Sequence, residues 1–172
     1  FSVVRYGNVM GSRGSVIPFF LSIKDEDFIP VTDERMTRFM ISLDEGVKLV
    51  WKAFEDMIGG EIYVKKIPSI KVIDIAKVIA PKLKLKIIGI RSGEKLHEQM
   101  ISDEDSYYTY EYSDYFKILP QINNWDKDKT RIKKGVKVLN GFTYSSDNNS
   151  EWMTKADLQK WIDKNKTYIG KI

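Results

Sequence analysis

Cysteine is absent from the 172-residue sequence, and histidine occurs once, at His97. The first absence excludes a disulfide scaffold and a thiolate nucleophile; the second excludes the usual metal site of two or three imidazoles. No apolar run approaches the ~18 residues that would span a bilayer, and the first residues carry no basic stretch followed by an apolar one and a small-residue cleavage site. These absences lead to the expectation of a metal-free cytoplasmic protein without a membrane partner. An excess of one charge is also missing: 28 basic residues face 24 acidic ones, for a net +4, and the signs interleave. The densest basic stretch, Lys127, Lys129, Arg131, Lys133, Lys134 and Lys137, lacks the interleaved aromatics of a base-stacking surface. It reads as a solvated loop, and nucleic acid is not an expected partner.

What is present is a composition able to bury a core, 42% hydrophobic and 12% aromatic. Phe1 to Tyr6 reads as a largely apolar strand, and Gly7 to Ser15 as a loop of glycine and polar residues. Val16 to Ile23 reads as a helix that tolerates Pro18 only in its first turn. Phe28 to Thr32 is a candidate strand, and Asp33 to Arg38 a polar connection. Ser42 and Glu45 have the spacing of a capping box, with Val47, Val50, Trp51, Phe54, Met57 and Ile58 following at helical spacing until Gly59-Gly60. Glu61 to Val64 and Lys86 to Ile90 read as strands flanking a helix whose face is Val72, Ile75, Ala76 and Ile79, closed by Pro81. Tyr107 to Phe116 is an extended aromatic segment that reads as a contact surface for self-association. A last helix starts from Thr154, with Asp157 at its third position. The fold class is α/β. The opening, Phe1-Ser2-Val3-Val4-Arg5-Tyr6, falls inside a strand pattern without Met, which leads to the expectation of a longer parent chain.

Gly7, Gly11 and Gly14 match neither the dinucleotide fingerprint nor the P-loop. On the pattern alone they read as an ordinary strand-to-helix turn rather than an anion cradle, although a loop between a strand and a helix N-terminus favours an anion. Arginine adds a second signal: in a chain dominated by lysine, Arg13, Arg35, Arg38 and Arg91 occupy connections. A guanidinium fork matches phosphate oxygens bidentately, whereas a solvated charge needs no fork. Arg35 beside Asp33 and Glu34 reads as a surface ion pair, and His97 as a packed or capping residue. No Ser-His-Asp set or carboxylate pair emerges from the spacing.

The segment from Arg5 to Phe20, R-Y-G-N-V-M-G-S-R-G-S-V-I-P-F-F, resembles the stretch after the Y-x-x-x-K motif in polysaccharide-biosynthesis members of the extended short-chain dehydrogenase/reductase superfamily. Thr32 to Phe39 and Arg91 to Glu98 resemble two later signatures of that group, in the same order. Arg13, Lys66-Ile67-Pro68-Ser69-Ile70-Lys71, and the tail Gly141 to Asn149 with Glu151-Trp152 resemble its inverting UDP-N-acetylglucosamine 4,6-dehydratases, which start pseudaminic acid synthesis. Ser92 departs from the group's usual Pro, which loosens that turn without removing a ligand.

The resemblance implies the C-terminal part of an NAD(P)-binding Rossmann-type fold with a small substrate-binding domain. Residues 1–122 would hold the last Rossmann elements and the nucleotide-sugar domain, and 123–172 a C-terminal extension with its helix. UDP-N-acetylglucosamine is the implied partner. Asn8 would bind near its phosphates, Arg38 and Arg91 its pyrophosphate, Glu94 its ribose, and Val16 and Met36 its uridine. Tyr6, Gly7, Val9 and Arg13 would border the nicotinamide end of NADP. The cofactor loop, the Asp-Lys pair and the Tyr-x-x-x-Lys motif are expected upstream of Phe1, so no catalytic residue is assigned to this chain, which alone should be inactive. The group also implies a homo-oligomer. A retaining 4,6-dehydratase or a 4-epimerase shares the same signatures, and a non-catalytic nucleotide-sugar-binding module is the reading from another class.

Overall fold

The structure, a computed structural model, describes residues 1–171. Its elements run β1 (Val3–Arg5), β2 (Asn8–Val9), α1 (Val16–Ser22), β3 (Phe28–Val31), β4 (Thr37–Ile41), α2 (Leu43–Asp56), β5 (Ile62–Lys65), β6 (Ser69–Lys71), α3 (Val72–Ile79) and β7 (Lys84–Ile87). They continue with β8 (Gln99–Ile101), α4 (Asp103–Ser106), β9 (Thr109–Glu111), β10 (Tyr115–Ile118), a 3-10 turn (Trp125–Lys127), α5 (Lys129–Ile132), β11 (Val136–Lys137), β12 (Tyr144–Ser145) and α6 (Lys155–Asn165). Two compact units interleave along the sequence. Unit one comprises Phe1–Tyr6, Leu43–Ile67 and Gln99–Ser145; unit two comprises Gly7–Ser42, Pro68–Glu98 and the chain from Ser146 on.

In unit one, a five-stranded sheet has the order β1-β5-β10-β9-β11, with β1 and β5 parallel and the other pairings antiparallel. Helix α2 lies on β1 and β5 and buries Gly46, Leu49 and Ala53, of which Leu49 and Ala53 join Tyr63 and Tyr115 in one core cluster. Val47, Val50, Trp51 and Phe54 do recur at helical spacing, yet they are exposed among the described residues, whereas Leu49 and Ala53 are buried. The aromatic segment also departs from expectation. Tyr115 and Phe116 are buried, and Tyr112 stacks on Tyr115 with ring centroids 4.5 Å apart, so much of this segment belongs to the hairpin's own core rather than to an outer surface.

The basic stretch is not simply a solvated loop either. It folds into α5, and Arg131 is buried against Glu61 and stacks on Trp125 at 4.0 Å from the ring centroid. Lys117 and Lys133 both reach Asp56, which also accepts from Tyr63 Oη at 2.9 Å. Burial works to raise the Asp56 pKa, but these donors outweigh it and hold the carboxyl at about 2.

Unit two contains a three-stranded sheet, β2-β4-β6, and the parallel pair β3-β7. Its core joins Ile17 and Phe20 of α1, Ile29 and Val31 of β3, Ile75 of α3, and Leu158 and Ile162 of α6. The last helix forms as its sequence predicts: the Thr154 side chain accepts from Asp157 N–H, and the Asp157 carboxylate accepts from Thr154 N–H. Thr37 and Arg38, expected in a connection, begin β4, because that strand is claimed from both sides by β2 and β6. Strand β7 starts and ends earlier than the expected Lys86 to Ile90. Its partner β3 stops at Val31, so the ladder stops opposite Ile87; Ile88 and Gly89 N–H then close onto Val31 and Thr32 carbonyls.

Candidate functional site

Within unit two a cavity of about 580 Å³ opens beside the glycine loop, within the size range of small-molecule sites. Asn8 reaches it from β2, Arg13 and Gly14 from the loop, and Val16 from the first position of α1. Met36 and Arg38 enter beside and on β4, while Arg91 and Glu94 come from the turn beyond β7. All six residues expected to bind substrate therefore meet at one cavity, together with Arg13. Its lining combines the apolar Val16, Phe19, Phe20, Val31, Met36 and Val72 with the three guanidinium groups of Arg13, Arg38 and Arg91.

Local geometry fixes these positions. In the loop, Ser12 N–H donates to Val9 C=O, and Ser15 N–H to Ser12 C=O. The C-terminal segment closes over it: Gly170 N–H donates to Gly11 C=O at 2.8 Å, and a side chain at Gly11 would strike Trp161. The Arg91 turn is closed reciprocally, with Glu94 N–H on Arg91 C=O at 3.1 Å and Arg91 N–H on the Glu94 carboxylate at 3.0 Å. Gly93, at φ +85, supplies the left-handed residue the turn needs. Ser92 is thus held in an ordered turn without proline.

The arginines divide by their partners. Arg5, Arg35, Arg38 and Arg131 each have a carboxylate within 4.0 Å. Arg35 pairs with Asp33 as its spacing predicts, and the hydrogen bond it donates lowers the Asp33 pKa to about 2. Among the described residues, the remaining two, Arg13 and Arg91, have no carboxylate within that distance, and both line the cavity. Arg38 is held more tightly: it donates to the carbonyls of Thr37 (2.6 Å), Leu96 (3.2 Å) and Lys95 (2.9 Å). It therefore ties β4 to the segment leading from Arg91 while leaving part of its five-donor fork for a ligand. Helix α1 is only seven residues long, so the anion preference expected of its N-terminus rests on the arginines instead.

The candidates expected to border the cofactor, Tyr6, Gly7 and Val9, are not among the residues lining this cavity. Gly7 lies so close to β4 that a Cβ there would come within 2.4 Å of Phe39 Cβ, and Val9 pairs with Ile41. Tyr6 belongs to unit one and is partly exposed. His97 Nδ1 lies 2.8 Å from Thr37 Oγ1, which in turn lies 2.6 Å from Ser146 Oγ, so the lone histidine is a packed, hydrogen-bonded residue as expected. Sequence reasoning assigned no role to Glu98. Its carboxylate accepts from Phe39 N–H at 3.1 Å and lies 3.8 Å from Arg38 Nε, and burial raises its pKa. Its place in the signature ending at Leu96-His97-Glu98 was the available signal.

Known proteins are similar to this chain in sequence and fold. The sequence pattern of the family described as "Polysaccharide biosynthesis protein" matches residues 1–120. An inverting UDP-N-acetylglucosamine 4,6-dehydratase of Campylobacter jejuni subsp. jejuni serotype O:2 is 54% identical over 95% of this chain and 51% of its own length. A UDP-glucose 4-epimerase of Rickettsia canadensis is 43% identical over 82% of this chain and 43% of its own. The X-ray structure of Pen from Bacillus thuringiensis superposes with a TM-score of 0.81 at 34% identity, covering 96% of this chain and 50% of that one. The chain thus spans about half the length of the curated relatives it matches. Its mixed parallel and antiparallel α/β architecture, with these matches, is that of an extended short-chain dehydrogenase/reductase fold of Rossmann type. With the family's pattern running from β1 to the end of the β9-β10 hairpin, this chain belongs to the polysaccharide biosynthesis protein family.

Proposed function

We propose that this chain is the nucleotide-sugar-binding part of a UDP-N-acetylglucosamine 4,6-dehydratase that inverts C5. The observation that carries the binding role is the convergence of Arg38 and of Arg91, which has no carboxylate within 4.0 Å among the described residues, with apolar side chains in the lining of one cavity. A pyrophosphate needs two or more forked cations, and a uracil ring needs a flat apolar contact. Arg91 and Arg38 would hold the pyrophosphate, Asn8 would donate to a phosphate oxygen, Glu94 would accept from the ribose hydroxyls, and Val16 and Met36 would cover the base. The 54% identity to a protein of the stated activity supports the reaction.

NADP is the proposed cofactor, held mainly by residues outside this chain. When bound, its nicotinamide supplies a hydride acceptor and donor for the sugar. Of the residues here, Arg13 fits a phosphate group of such a cofactor, whereas Gly7 and Val9 are engaged with β4. Proton removal at C5 and loss of the C6 hydroxyl would fall to groups beyond this sequence, and the chain by itself would be inactive. Its own contribution is to hold the nucleotide so that the sugar has one pose, which converts binding energy into orientation and excludes water.

The test is the product of the full-length protein. With UDP-N-acetylglucosamine in deuterated buffer, NMR should show a 4-keto-6-deoxy sugar inverted at C5 with deuterium at that carbon. Retention at C5 would assign a retaining dehydratase. An unchanged C6 hydroxyl with inverted C4 would favour the 4-epimerase reading, which the Rickettsia relative supports.

A further inference from the structure

We infer that Glu98 is a positioning residue of this site: from behind the cavity wall it orients the Asn8 amide and steadies Arg38. The inference rests on the nucleotide-sugar reading of the cavity. The amide orientation that satisfies both groups directs Asn8 Nδ2 at Glu98, 2.8 Å from one carboxylate oxygen and 3.0 Å from the other. The two oxygens of one carboxylate lie too close together to take both diverging N–H bonds of an amide. One N–H is thereby committed to Glu98, and the second is left for a ligand in the cavity that Asn8 lines. A phosphate oxygen, which only accepts, requires that orientation; the flipped amide would offer it a carbonyl oxygen and repel it.

Glu98 is itself fixed from three directions. Its carboxylate accepts from Phe39 N–H on β4, and its backbone N–H donates to Ser146 Oγ at 2.9 Å. Ser146 in turn joins Thr37 and His97 in one hydrogen-bonded chain. The same carboxylate lies 3.8 Å from Arg38 Nε, so a single anion sets both the direction of an amide dipole and the resting place of a guanidinium. The charged groups around it are Arg38 on β4 and Lys95 on its own segment. Glu98 does not line the cavity, so its effect must pass through Asn8 and Arg38.

A double-mutant cycle on the full-length protein tests this, with UDP as the probe in titration calorimetry. Glu98→Gln keeps the shape of the side chain but places an amide where Asn8 and Phe39 both donate. It should weaken UDP about 10-fold, the worth of one charge-assisted hydrogen bond. In an Asn8→Ala background the same substitution should cost no more than about 2-fold, the smaller share that passes through Arg38, because the amide dipole it orients is gone. Glu98→Asp, which restores the charge on a shorter arm, should recover part of the loss. Equal losses from Glu98→Gln in both backgrounds would overturn the positioning role, as would an undiminished affinity in Glu98→Gln. Arg91→Ala serves as the separate control: if it and the wild type bind UDP alike, or neither binds, the nucleotide reading fails rather than the role of Glu98. A thermal melt of each variant accompanies the cycle, and Glu98→Gln is the variant expected to retain the wild-type transition.

Discussion

Arg131 Nη1 lies 2.5 Å from Glu61 Oε1, across seventy residues of sequence, and both side chains are almost sealed from solvent. The two partners are not equally replaceable. Glu61 also accepts from Ser2 Oγ, Ile58 N–H and Gly59 N–H, while Arg131 also donates to Gly59 C=O and stacks on Trp125. Glu61→Leu should therefore strand several donors and a buried guanidinium and cost about 3–5 kcal/mol, whereas Arg131→Met, which leaves Glu61 its other donors, should cost about half as much. Urea denaturation of the two variants checks the order.

Asp56 supplies a pH signature for unit one. Its folded pKa of about 2 is below the ordinary 3.8, so its stabilising contribution is complete above the unfolded value and is lost as pH falls from about 4 toward 2. The shift corresponds to on the order of 2 kcal/mol. Asp56→Asn should lower stability by that order at neutral pH and flatten the acid limb of the stability curve. Denaturation midpoints measured between pH 2 and 7, a range set by the shift itself, should show the two curves converging at the acid end.

Two glycines of the loop make contrasting predictions. A methyl group at Gly7 would press into the Phe39 backbone and Cβ, so Gly7→Ala should cost about 3 kcal/mol and loosen the β2-β4 pairing that carries Asn8. Gly14, at φ +74 with open space around it, pays only for its left-handed backbone, so Gly14→Ala should cost about 1 kcal/mol. Thermal melts of the two variants separate a packing constraint from a conformational one.

Features governed by local spacing were legible from the residues. The Thr154-Asp157 capping box and the Arg35-Asp33 pair depend on neighbours three and two positions away, and the structure contains both. The site residues Asn8, Arg38 and Arg91 came from signature segments, not from periodicity, and they meet at one cavity. Relationships between distant segments carried no local signal. Nothing around Arg131 announces Glu61, and nothing in the spacing of Asn8 and Glu98 announces their contact. Helix α2 marks a different limit, because its periodicity reveals an apolar face but not which of its residues are buried. Gly46, Leu49 and Ala53 are, while Trp51 remains 61% exposed.

The nucleotide site is tested most directly by UDP affinity in three forms of the full-length protein: wild type, Arg91→Ala and Arg35→Ala. Arg91 has no carboxylate partner among the described residues and faces the cavity, whereas Arg35 is an exposed residue already paired with Asp33. Titration calorimetry should show Arg91→Ala weakening UDP by about 10- to 100-fold, with Arg35→Ala indistinguishable from wild type. Equal affinities for all three proteins would place the pyrophosphate elsewhere and remove the basis for reading this cavity as a nucleotide-sugar site.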